Sequence, residues 1–144
     1  MTSERITIDS NILVYSVDRD AGERHDRAVR VVDDCVDRDC VLTLQALAEF
    51  YFVATRKGKM PAEDAAAQVA DWQKVFPTIL PSGATIERAL VGVREHSLQF
   101  WDAMLWAVAA QNRVSVLLSE DYQDGRVLDG VRFVSPFSGN NIRF

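Results

Sequence analysis

Apolar and polar positions change period several times along the chain. Arg5 to Ile8 alternate as in a short strand, and "CVLT" at 40–43 reads as a second one. Between them a short helix is expected over Asn11 to Ser16. A longer one is expected over Glu23 to Asp39, where Ala28, Val29, Val32, Cys35 and Val36 recur at helical spacing. "LQALAEFYFVATRKG", from Leu44 to Gly58, is built of good helix formers and ends in Arg-Lys before a glycine, a C-terminal stop. Pro61 opens the next helix, with acids in its first turn, and Pro77 closes it. "TIL" then predicts a brief strand, and "SGATIERALVGVREH" and "QFWDAMLWAVAAQNR" predict two more helices. The chain finishes with "VSVLLS" as a buried strand, the polar turn "EDYQDG" and "VRFVS" as a last strand. Strands alternating with helices imply βαβ units, so the expected class is α/β: a mainly parallel central sheet sandwiched by helices.

No internal repeat, low-complexity tract or Ser/Gly-rich linker interrupts this pattern. With 144 residues and 48% hydrophobic content, one domain over 1–144 with a real core is expected. No apolar run nears the roughly 18 residues that span a bilayer, and no signal-peptide stretch opens the chain, so a soluble, cytoplasmic protein without a membrane partner is expected. The two cysteines, Cys35 and Cys40, lack zinc or thioredoxin spacing and read as core thiols. The net charge of −5 argues against binding nucleic acid by bulk electrostatics. It does not exclude a phosphodiester substrate, because carboxylates gathered around divalent cations leave a site near neutral or positive.

Acids stand out against apolar surroundings at four places. In "RITIDSNILVYSVD", Asp9 ends the first strand, where ligands bind in an open α/β sheet, while Asp-Ser-Asn equally suits a helix N-cap. Glu49 is the only acid in its helix, with Gln45 four residues before and Arg56 seven after on one face. That face is either a solvent stripe or the wall of a polar site. Asp102 sits between Trp101 and Ala103 in the first turn of an apolar helix, where the helix dipole alone favours an acid. Glu120, Asp121 and Asp124 follow the late buried strand in "LLSEDYQDG". Turn chemistry accounts for Asp124-Gly125 better than for acids that begin directly after the strand. A parallel sheet puts Asp9 and Asp121 at one edge, and Glu49 and Asp102 can converge on it. Carboxylates that close repel one another unless a cation sits among them, and an oxygen-only set suits Mg²⁺ or Mn²⁺.

Other chemistries find little support. His25 and His96 are isolated and read as surface or helix-end residues. There is no nucleophile elbow for a Ser-His-Asp site, no G-x-G-x-x-G and no Walker-type loop. Metal-dependent hydrolysis remains. The densest basic group, "RKGK" at 56–59, can guide an RNA backbone but also answers helix termination. Trp72, Trp101 and Trp106 can stack on bases, yet their apolar helical neighbours favour core or dimer packing.

Taken together, "IDSNILVY", the isolated Glu49 in the helix after the second strand, "FWDAMLWAVAA" and "LLSEDYQDG" before a last strand resemble a PIN-domain nuclease, most like the VapC-type toxins of bacterial toxin–antitoxin pairs. The resemblance runs from Ile6 to about Val134. It implies a parallel α/β sandwich and Mg²⁺- or Mn²⁺-dependent RNA cleavage, with Asp9, Glu49 and Asp102 as principal metal-site and catalytic acids and Asp121 as the more variable fourth. Asn11 and Ser119 match supporting positions, and Asp124 competes with Asp121 for the fourth place. It further implies a homodimer and a cognate antitoxin that covers the acidic site. Water as the nucleophile predicts 5′-phosphate and 3′-hydroxyl ends. Two rival readings stand beside this one: a catalytically silent PIN-fold binding module, and a phosphatase using Asp9 as covalent acceptor. The second is weakened because Asn11 stands where a haloacid-dehalogenase-like enzyme has a second aspartate and no partner lysine follows a late strand.

Overall fold

The strand-like runs pair into one six-stranded sheet in a computed structural model that describes residues 4–139. The strands are β1 (Ile6–Ile8), β2 (Cys40–Thr43), β3 (Thr78–Ile79), β4 (Val116–Leu118), β5 (Val127–Leu128) and β6 (Val131–Val134), in the spatial order β3-β2-β1-β4-β6-β5. Every neighbouring pair is parallel except β5 with β6. The helices are α1 (Ser10–Val17), α2 (Glu23–Cys35), α3 (Leu44–Arg56), α4 (Ala62–Val75), α5 (Gly83–His96) and α6 (Phe100–Gln111). None of the described helices is long and apolar enough to cross a membrane.

Alternation along the short strands feeds two cores, as period-2 geometry requires. Ile6, Ile8, Leu42, Val116 and Leu118 point to one face, where α1, α2, α3 and α4 supply Leu13, Val31, Phe50 and Trp72. Val41, Leu117, Val131 and Phe133 point to the other face, under α5 and α6 with Ala89, Leu105 and Trp106. A Cβ on Gly92 would lie 2.9 Å from the Trp106 ring, so the absence of a side chain there sets how closely α5 packs on α6. Chain order then fixes where a site can form. From β1 the chain builds outward on one side through β2 and β3, then returns to place β4 on the other side of β1. The crevice beyond the carboxyl ends of β1 and β4 is therefore the topological switch point at which open α/β sheets bind ligands.

The expected α/β class and the placing of the helices agree with this architecture. Two local readings change. The helix expected to reach Asp39 ends at Cys35, and Val36 is 49% exposed. Residues 36–39 turn instead, so that β2 can start beside β1 with the Ile6 N–H donating to the Asp39 carbonyl at 2.8 Å. The apolar pattern does not predict β5. This strand pairs antiparallel with β6 through Asp129-Gly130, both at positive φ (48° and 80°), the two-residue hairpin such a pair favours. Trp72 and Trp106 take the core half of the core-or-dimer reading, and Trp101, 60% exposed in the single chain, is not in the core. It stands in the first turn of α6. Cys35 and Cys40 are buried free thiols, as their spacing suggests.

Candidate active site

Parallel register sets the first contact. Ile8 pairs with Leu118, and the Asp9 N–H donates to the Leu118 carbonyl at 2.9 Å, so Asp9 and Ser119 leave the sheet side by side. Asp9 is the N-cap of α1: its Oδ1 accepts from the Ser10 N–H at 2.7 Å. Its Oδ2 accepts from the Ser119 hydroxyl, also at 2.7 Å, across 110 residues of sequence. Capping and site placement, rival explanations in the sequence, hold together in one carboxylate. Ser119 Oγ in turn accepts from Asn11 Nδ2 at 3.3 Å and from the Asp121 N–H at 3.0 Å. One hydroxyl thus links β1, α1 and the loop after β4.

Asp102 enters from α6 and Asp121 from that loop. Carboxylate oxygens of Asp9, Asp102 and Asp121 all lie within 4.8 Å of one another. Glu49, half-exposed on α3, is outside this closest group but near enough for its charge to act on both Asp9 and Asp102. Asp124, by contrast, lies apart from the cluster. Its Oδ1 accepts from the Ser135 N–H at 2.8 Å and ties the β4–β5 loop to the end of β6. Tyr122, which the sequence does not single out, and Glu120, which it names only as one of the acids after the late strand, complete the surroundings. The Tyr122 hydroxyl donates to the Asp102 carbonyl at 2.6 Å and so anchors the first turn of α6. Glu120 turns away from the cluster, accepting from Tyr15 Oη at 2.5 Å and from Arg24 Nε at 3.2 Å, which pins the loop carrying Asp121 to α1 and α2. Their only signal in the sequence is position: both flank Asp121.

The electrostatics follow from this crowding. Burial raises the Asp9 carboxyl from 3.8 to about 7; the Ser119 and Ser10 hydrogen bonds oppose the shift, and the Glu49 and Asp121 charges add to it. Asp102 is raised to about 6, by burial first and then by Asp121 and Glu49. Among the described residues none of the ion pairs involves Asp9, Glu49, Asp102 or Asp121, so no side-chain cation relieves the repulsion. The donor set is all oxygen and largely anionic, and Asn11 Oδ1 adds a buried acceptor that has no hydrogen-bond partner among the described residues. Such a set fits a hard divalent cation of the Mg²⁺ or Mn²⁺ kind.

A family model described as PIN domain matches residues 6–127. The chain belongs to the PIN domain family. Solved structures agree on the fold of this PIN domain. A toxin–antitoxin complex from Klebsiella pneumoniae superposes with a TM-score of 0.67 at 21% identity, covering 92% of this chain and 98% of that one. VapC20 from Mycobacterium tuberculosis, described as a sarcin–ricin loop cleaving toxin, gives 0.66 at 18% identity, covering 88% and 98%. DNA-bound VapBC from Salmonella typhimurium gives 0.64 at 14% identity, covering 92% and 98%. No curated protein matches the sequence significantly.

Proposed function

We propose that this PIN domain is an endoribonuclease that hydrolyses RNA phosphodiester bonds with Mg²⁺ or Mn²⁺, as the toxin of a toxin–antitoxin pair. The observation that carries the reading is the convergence of Asp9, Asp102 and Asp121 within 4.8 Å at the sheet's switch point, with Glu49 beside them and, among the described residues, no ion pair to any of the four. Family membership, a neighbour described as a toxin–antitoxin complex and another described as a sarcin–ricin loop cleaving toxin support the partner and substrate classes.

Asp9, Glu49, Asp102 and Asp121 hold the cation, with Asn11 and Ser119 supporting them. The chemistry such an ion supplies when bound is a lowered pKa for water and neutralisation of the phosphodiester charge. The protein's own groups do the positioning. Asp9 has its rotamer fixed by bonds to both oxygens, so its negative charge faces the cluster without reorganisation. Glu49, outside the tightest group and open to solvent, is the carboxylate free to orient and deprotonate the attacking water. Ser119 and Asn11 lock the β1–β4 edge, and Tyr122 holds the helix turn that presents Asp102. Asp124 serves the loop, which leaves Asp121 as the fourth acid. The cognate antitoxin covers this acidic surface, an arginine suiting its charge.

The test is incubation of the purified, antitoxin-free protein with mixed cellular RNA and Mg²⁺ or Mn²⁺, beside EDTA and Asp9→Asn controls. The expected result is discrete fragments bearing 5′-phosphate and 3′-hydroxyl ends, absent from both controls. No cleavage of any RNA class by folded, metal-supplied protein overturns the reading in favour of a binding module. Primary products with 2′,3′-cyclic phosphate overturn the water mechanism.

A further inference from the structure

Two of the helices that border the carboxylate cluster end at a second charged feature. α1 runs from its cap at Asp9 to Asp18, and α3 carries Glu49 and ends at Lys57. The two helices pack on each other, and their far ends line one open pocket of about 370 Å³, walled by Asp18, Arg19, Asp20, Lys57, Gly58 and Lys59. Gly58 turns the chain there. At φ 68° it ends α3, and the Lys59 N–H donates back to the Ala54 carbonyl at 2.9 Å, so cations on both sides of the glycine face the end of α1. Lys59 Nζ pairs with Asp18 Oδ2 at 3.0 Å, and Asp18 Oδ1 accepts from the Asp20 N–H at 3.1 Å, which engages both oxygens of that acid. Arg19 and Lys57 have no carboxylate partner among the described residues. In a chain of net charge −5, the pocket therefore sets three cations against two acids. Helix termination accounts for Arg56 and Lys57 at the end of α3, but not for Lys59 beyond the glycine or for Arg19 in the turn after α1. Both helices also measure how far the pocket lies from the acids. At about 1.5 Å per residue, Asp9 to Asp18 spans about 14 Å and Glu49 to Lys57 about 12 Å.

We propose that this pocket holds a backbone phosphate of the RNA a few nucleotides from the scissile bond, contacted by Arg19 and Lys57; it rests on the RNA-hydrolysing reading above. The lining selects a phosphate over a base. It carries surplus positive charge and no aromatic ring on which a base would stack. The separation suits the same strand. A stacked strand carries one phosphate per 3.4 Å or so, which places the pocket on the order of four nucleotides from the cluster, and fewer where the strand is extended. A backbone contact fixes register without reading sequence. The pocket thus sets a minimum length of RNA on one side of the cut, whatever the bases there are.

The experiment reads charge instead of base identity. End-labelled single-stranded RNA is titrated against the full chain in EDTA over a range of salt, for the wild type, Arg19→Gln and Lys57→Gln. Arg94→Gln, on α5 over the opposite face of the sheet, controls for net charge. Cleavage with Mn²⁺ is then measured on the same oligonucleotides with one phosphate at a time replaced by an uncharged methylphosphonate. Each phosphate neutralised on a single strand contributes about 0.7 to the slope of log affinity against log salt. Arg19→Gln and Lys57→Gln are each expected to lower the slope by that amount and the affinity about 5-fold near 0.1 M salt, a loss that falls on KM. Arg94→Gln is expected to change neither. One methylphosphonate position, about two to four nucleotides from the cut, reproduces the loss in the wild type and adds nothing to it in Lys57→Gln. Unchanged slopes in both pocket variants, with cleavage proceeding, overturn the phosphate site and leave the nuclease reading standing. Lowered slopes without any cleavage by the wild type support the phosphate site and overturn the nuclease. An equal loss in Arg94→Gln, or a methylphosphonate effect tied to no position, makes the attraction one of bulk charge, and the proposal falls.

Discussion

The two walls of the acidic site are built on opposite principles. The wall formed by β1 and β4 is buried and fully engaged: Asp9 is 4% exposed, Ser119 is 1% exposed, and each carboxylate oxygen of Asp9 has a donor. The wall formed by α3 and α6 is open, with Glu49 half-exposed and Phe52 and Trp101 largely in water. The first wall keeps its charges in place at a cost in burial and repulsion. The second commits little structure to its own groups and leaves surface for something arriving from outside. A preorganised charge site needs both, since fixed dipoles act only on a ligand that can enter.

The largest effect is expected from removing the charge at the heart of the buried wall. Asp9→Asn should lower RNA cleavage by more than about 100-fold, exceeding the loss typical of a supporting residue, while the metal-free protein becomes more resistant to urea. Cleavage assays beside urea unfolding check both halves. Loss of activity together with loss of stability would mean that Asp9 is mainly a helix cap.

Next comes pH. Asp9 at about 7 and Asp102 at about 6 sit above their ordinary value of 3.8. Between about pH 4 and 7 the folded chain therefore holds more protons than the unfolded one, and the stability of the metal-free protein falls as pH rises through that window, by a few kcal/mol at most. Thermal melts from pH 5 to pH 8 should show the decline. Mn²⁺ should reverse it at pH 8 but not at pH 5, and Asp9→Asn should flatten it. A flat profile in the wild type would place the carboxylates farther into solvent than the fold indicates.

Ser119→Ala tests the hinge between the walls. Losing the hydroxyl that joins Asp9, Asn11 and the Asp121 N–H should weaken Mn²⁺ binding about 10- to 100-fold, read by calorimetry, and raised metal should recover most of the cleavage rate. Failure of metal to rescue would assign Ser119 to substrate contact. The smallest effect belongs to Asp124→Ala, which removes one acceptor from the Ser135 N–H. About 1 kcal/mol of stability is expected to go, with kcat unchanged. A large drop in kcat would transfer the fourth acid from Asp121 to Asp124.

Parts of both fold and site are legible in the order of apolar and acidic residues. Ile6–Ile8 and Val116–Leu118 are too apolar and too short to be anything but buried parallel strands, and an acid at or just after such a strand falls at the sheet's carboxyl edge. What resists reading depends on rotation about a helix. Glu49, Phe52 and Arg56 share one face of α3, and only the packing of Phe50 and Leu47 inward decides that this face borders the site instead of plain solvent. Trp101 lies in a helix that is apolar throughout, so periodicity alone does not separate its exposed ring from the buried Trp106. The β5–β6 hairpin is written in Asp129-Gly130 and is too short for periodicity to reveal.

Local interactions, acting within a few residues, set the order of the elements, the α/β class and the cap at Asp9, and all three are legible along the chain. Convergence is a long-range matter. That Asp9 lies beside Ser119, that Asp102 and Asp121 come within 4.8 Å of each other, and that Asp124 does not join them follow from β4 pairing with β1 instead of with a strand nearer in the chain. That pairing is selected by which apolar faces can be buried together across the whole domain, and no local pattern encodes it.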